Sequence, residues 1–84
     1  MSIAEQLTPE ERVRLANRLY DEKLKGELEP THRGKVVAID VSSGKYFIGR
    51  DVRDACRKAR SEYPRAVFVC RRVGNGPLYR VGAF

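Results

Sequence analysis

Lys35-Val36-Val37-Ala38-Ile39-Asp40-Val41, followed by Ser42-Ser43-Gly44 and then Tyr46-Phe47-Ile48, decides the fold. The first run is β-branched and apolar, the last is aromatic and apolar, and a short polar stretch with a glycine joins them, so together they predict a β-hairpin. Asp40 closes the first strand, where a carboxylate can bond the turn amides at Ser42, Ser43 or Gly44. Downstream, Asp51 predicts a helix cap, Asp54 lies in the first turn where the helix dipole favours an acid, and Pro64 stops the helix after Tyr63. Val52, Ala55, Cys56, Ala59 and Tyr63 share one face of that helix, with alanines small enough to let it lie close to a sheet. Ala66 to Val73 predicts another strand, Gly74-Asn75-Gly76-Pro77 a turn, and Leu78 to Val81 a last strand, which makes a second hairpin.

Upstream, Thr8-Pro9-Glu10-Glu11 announces a helix. Thr8 can accept from the Glu11 amide, Glu11 can reach back, and Pro9 takes the first helical position, where its missing N–H costs nothing. Val13, Ala16, Tyr20 and Leu24 recur every three or four residues, and Leu15 and Leu19 widen the stripe. Such a stripe must be covered, by the chain's own sheet, by a second copy or by another protein. Gly26 to Gly34 reads as a polar connector. The expected fold is α+β: an N-terminal helix followed by β-β-α-β-β, a four-stranded sheet, antiparallel or mixed, with the second helix packed on one face. The N-terminal helix would share that face or extend outward as an arm. At 84 residues the chain is read as one domain, 1–84, with 1–29 an amphipathic helix and connector and 30–84 a basic ββαββ core.

Charge follows the same division. Residues 1–29 hold five basic and seven acidic side chains, whereas 30–84 hold twelve and four, so the positive potential belongs to the second part. The absence of a basic leader or long apolar run near Met1 predicts a cytoplasmic protein with no membrane span. Two cysteines, Cys56 and Cys70, are too few for a disulfide framework; both lie in apolar stretches, as buried thiols or, where their Cβ atoms meet, as a bridge. Two separated cysteines and the single histidine, His32, do not supply a zinc ligand set, and no metal, cofactor or small-molecule substrate is expected.

Catalytic chemistry is equally thin. His32 stands alone in the connector without a nucleophile or acid at motif spacing, Asp51 and Asp54 are explained as caps, and Gly74-Asn75-Gly76 precedes a proline and a strand rather than opening a phosphate-binding helix. No catalytic residue is predicted. The strongest remaining pattern is basic: Arg50, Arg53, Arg57 and Arg60 fall within an arc of roughly 80° on or beside the second helix, away from its apolar face. Arg71, Arg72 and Arg80 add charge on the second hairpin. The arginine ridge is either a solvated face or a phosphate-binding surface. Tyr46, Phe47, Phe68 and Tyr79 lie on strands, where they pack in the core or display rings on one pleat face.

Glu29-Pro30-Thr31-His32-Arg33-Gly34-Lys35-Val36-Val37-Ala38-Ile39-Asp40, the later Gly44-Lys45-Tyr46, and the two Arg-Val-Gly triplets at 72–74 and 80–82 together resemble a family of small bacterial and archaeal proteins sharing a domain of unknown function. That resemblance transfers no catalytic residue. The Leu7-Thr8-Pro9-Glu10-Glu11-Arg12 start also looks like helices of small toxin–antitoxin components, which implies a protein partner. Two functions are therefore expected. The first is a non-enzymatic regulatory or protein-interaction module, antitoxin-like, docking or self-associating through Val13, Ala16, Leu19, Tyr20 and Leu24. The alternative is a nucleic-acid-binding domain using Arg50, Arg53, Arg57, Arg60, Arg71, Arg72 and Arg80.

Overall fold

Val36–Asp40 (β1) is buried at every position, as a strand must be when both of its faces are covered. It pairs antiparallel with Tyr46–Gly49 (β2), in register from Val36 opposite Gly49 to Ile39 opposite Tyr46. On its other side it pairs antiparallel with Val67–Arg72 (β3), from Val36 opposite Arg72 to Asp40 opposite Phe68. The computed structural model describes residues 6–74 and 80–83, the last four by their backbone alone. Arg80–Ala83 (β4) pairs antiparallel with β3, so the strand order is β2-β1-β3-β4. The turn expected at Asn75-Gly76-Pro77 and the strand start expected at Leu78 and Tyr79 lie outside the described residues. β2 and β3, which flank the second helix in the chain, run parallel to each other, but β1 lies between them and every neighbouring pair is antiparallel.

The hairpin turn is built as its residues predict. Asp40 accepts from the Ser42 amide at 2.9 Å and the Ser43 hydroxyl at 3.0 Å, while Gly44, at φ 81°, donates its amide to the Asp40 carbonyl. At the N-terminus, Pro9–Leu19 (α1) begins with a reciprocal cap: Glu11 N–H to Thr8 Oγ1, and Thr8 N–H to Glu11 Oε1.

After α1 the helix does not end. A π-helical turn, Tyr20–Leu24, leads directly into Lys25–His32 (α2), with the Lys25 amide bonded to the Tyr20 carbonyl five residues back. Residues spaced by four drift about 40° per step around an α-helix. The wider turn counters that drift and keeps Ala16, Tyr20, Leu24 and Leu28 aimed at one surface. The expected Gly26–Gly34 connector is thereby corrected: helix continues through His32, and Arg33 to Lys35 make the link to β1. Burial of Leu24 and Leu28, worth about 1.5–3 kcal/mol each, offsets the poor helix propensities of Gly26 and Pro30.

The alternation of β1 and β3 divides the core into two layers. Val37, Ile39, Val67 and Val69 pack with Ala16, Tyr20, Leu24 and Leu28. Val36, Ala38, Phe68 and Cys70 pack with Ala55, Cys56 and Ala59 of the second long helix, Val52–Glu62 (α3). The N-terminal helix therefore neither shares the face of α3 nor extends as an arm; it covers the opposite face of the sheet. Two buried strands with apolar side chains on both faces need a cover on each side, and α1 with α2 supplies the second one.

Candidate functional site

α3 is held close to the sheet by what its inner face lacks. Ala55 and Ala59 are fully buried, and at Gly49 a Cβ would stand 2.2 Å from the Ala55 nitrogen, so the end of β2 and the first turn of α3 touch backbone to backbone. Asp51 caps the helix by accepting from the Asp54 amide at 2.8 Å. With its inner face so fixed, the helix presents Arg53, Arg57 and Arg60 outward, and Arg50 lies just before its Asp51 cap; all four are exposed.

Asp54 organises this surface. Its carboxylate is buried and accepts from the Arg50 amide at 3.0 Å and from Arg57 Nη2 at 2.6 Å, with Lys58 Nζ 3.5 Å away. The Arg50 amide first, and the Arg57 guanidinium next, hold its carboxyl at about 2, so it is ionised near neutral pH. Arg57 nevertheless keeps 70% of its side chain exposed, leaving most of its fork of donors facing water. Neither Asp51 nor Asp54 is placed as an acid–base pair; both serve the start of α3.

Beside this first turn lies a cleft of about 210 Å³, lined by His32, Lys35, Ile48, Gly49, Arg50, Asp54 and Lys58. Four stretches of chain meet there: the end of α2, the start of β1, the end of β2 and α3. Lys58 donates to the Ile48 carbonyl at 2.9 Å. Sequence reading finds Arg50 but misses Lys35, Lys58 and the approach of His32, because only the fold brings them together. The one local sign is Lys58 standing four residues after Asp54 on the same helix. His32 is corrected from a connector residue to the last turn of α2, half-buried, with Nδ1 2.7 Å from the Thr31 hydroxyl.

The other predicted residues are placed differently. Ala16, Tyr20 and Leu24 are buried against the chain's own sheet, and Val13 and Leu19 pack partly buried beside them. Ala16, Tyr20 and Leu24 of the expected docking face are thus corrected to core positions, whereas Val13 and Leu19 keep part of their surface outside. Arg71 leaves the basic group: odd-numbered positions of β3 face α1, and its guanidinium lies 3.7 Å over the Tyr20 ring and donates to Asn17 Oδ1 at 2.9 Å. Arg72 faces the α3 side and donates to the Gly34 carbonyl at 3.2 Å. The side chain of Arg80 lies outside the described residues.

Tyr20 ties these pieces together, donating its hydroxyl proton to Glu29 at 2.8 Å and accepting from the Gly74 amide at 3.1 Å. Among the strand aromatics, Phe68 is fully buried and Phe47 stacks edge-on against both Phe68 and Tyr63. Phe47 and Phe68 therefore do not form an exposed platform, and Tyr79 lies outside the described residues. Cys56 and Cys70 do meet: both are buried free thiols with their sulfurs 3.4 Å apart. Among the described residues, no group of three or more His, Cys, Asp or Glu side chains is placed to hold a metal ion, and no helix is long and apolar enough to cross a membrane.

Comparison with models of known protein families, with curated proteins and with solved structures yields no match.

Proposed function

We propose that this chain is a non-enzymatic nucleic-acid-binding module that grips the phosphate backbone with the outer face of α3. The observation that carries the reading is the ridge of Arg53, Arg57 and Arg60, exposed on a helix whose other face is locked to the sheet, with exposed Arg50 just before its cap. Electrostatics across the sheet support it. Residues 50–65, which contain α3, hold six basic and three acidic side chains, whereas residues 6–32 on the opposite face hold five basic and six acidic. Two of the three acids beside the ridge, Asp51 and Asp54, are already engaged by the start of the helix. A bound polyanion therefore meets arginine forks with little opposing charge.

Because Phe68 is buried and Phe47 packs edge-on against it, these two rings offer little base stacking and phosphate contacts dominate. Such binding is weakly selective for sequence and strongly sensitive to salt.

The test is reversal of Arg53 and Arg60 to Glu, with circular dichroism to verify the fold. Fluorescence anisotropy with unrelated duplex and single-stranded oligonucleotides at low salt should show binding by the wild type and its abolition in the double variant. Absence of binding by the wild type at low salt would overturn the proposal.

A further inference from the structure

We infer that the cleft between the end of α2 and the first turn of α3 is a phosphomonoester pocket, which takes the terminal phosphate of a nucleic-acid strand lying along the arginine ridge. This deepens the proposed function and rests on it. The cleft of about 210 Å³ is lined by three cations, Lys35, Arg50 and Lys58, together with the imidazole of His32 and the carboxylate of Asp54. Its charge is thus positive by two with His32 neutral.

Asp54 does not leave this cleft acidic. One carboxylate oxygen is taken by Arg57 and the other by the Arg50 amide and Lys58. Donors remain where an incoming oxyanion needs them. An ammonium has three, of which Lys58 gives one to the Ile48 carbonyl and directs another toward Asp54. Arg50 has a full guanidinium fork, and Lys35 is exposed at the start of β1.

The arrangement fits a chain end better than a chain interior. The cations arrive from three separate elements, which suits a group with three terminal oxygens and about −1.5 to −2 of charge near neutral pH. A backbone diester offers two free oxygens and one charge, and both of its ester links would have to enter and leave the cleft. A terminal monoester has one link, and from this end of α3 the ridge of Arg53, Arg57 and Arg60 continues along the helix.

The experiment compares oligonucleotides of one sequence that end in a phosphate or in a hydroxyl, at each terminus in turn, labelled at the opposite end and titrated with the full chain. The phosphorylated form should bind about tenfold tighter at one terminus, the worth of a charge-assisted hydrogen bond. Inorganic phosphate should compete that preference away. Lys35→Ala should remove the preference while the hydroxyl-ended strand still binds. Equal affinity for phosphate and hydroxyl ends overturns the pocket and leaves the ridge reading intact, whereas failure of every oligonucleotide to bind overturns both.

Discussion

Replacing Gly49 with alanine tests how α3 is seated. The added Cβ would lie 2.2 Å from the Ala55 nitrogen, 2.7 Å from the Ala55 Cα and 2.8 Å from the Asp54 carbonyl carbon. Ordinary heavy-atom contact is about 3.5 Å, so the first turn of α3 must retreat by roughly 1 Å. No flexible side chain can yield, because all three neighbours are backbone. The retreat opens the layer in which Ala55 and Ala59 pack against Val36, Ala38 and Phe68. Overpacking of this kind costs about 1–3 kcal/mol, and a backbone clash belongs at the top of that range. For a domain of this size a loss of about 3 kcal/mol lowers the melting temperature by more than about 10 °C. Gly26→Ala is the matched control: nothing lies within 4 Å of its Cβ position inside α2, so the change should stabilise by about 0.5–1 kcal/mol. Urea unfolding of both variants reads the difference directly. A Gly49→Ala protein as stable as the wild type, or a Gly26→Ala protein equally damaged, would refute the close-packed seating of α3.

Three further outcomes are expected. Tyr20→Phe should cost about 1–3 kcal/mol in urea unfolding, because Glu29 and the Gly74 amide lose the hydroxyl while Arg71 keeps its ring; unchanged stability would dissolve that network. Asp54→Asn should destabilise at neutral pH. With the native carboxyl held near 2 against an ordinary value of 3.8, the advantage of the wild type is complete above about pH 4 and fades as pH falls toward 2. A gap that stays constant through that window would argue against the charge of Asp54 as its source. Finally, the sulfurs of Cys56 and Cys70 need close only from 3.4 Å to about 2.05 Å to bond. Oxidised glutathione should therefore convert both thiols to an intramolecular disulfide in a monomer, and cross-linked dimers in place of that species would count against the contact.

Much of the scaffold is legible in local chemistry. Thr8 and Glu11 declare a capping box, Asp51 and Pro64 bracket α3, and the turn after Asp40 follows from a carboxylate placed beside Ser42 and Ser43. What escapes is tertiary. The periodicity of Val13, Ala16, Tyr20 and Leu24 demands a cover without saying which surface supplies it. The unbroken apolar character of Val36 to Ile39 carries the missing sign, since a strand without alternation needs both faces covered. Gly26 and Pro30 read locally as breakers, yet Leu28 extends the buried stripe past both. Arg71 and Arg72 look alike in the chain, but adjacent strand residues face opposite ways, and only one of them is on the α3 side. The ridge of arginines is visible from helical spacing alone. The cleft is not, because Lys35, Arg50 and Lys58 come from separate elements and no motif joins them.

The most direct test of the central claim is the salt dependence of duplex binding by the full chain. Four phosphate contacts from the ridge predict that the logarithm of affinity falls with the logarithm of salt with a slope of about −3.6, a loss of roughly two orders of magnitude between about 50 and 200 mM. A slope near zero, or a surface that binds no nucleic acid at the lowest salt, would contradict it.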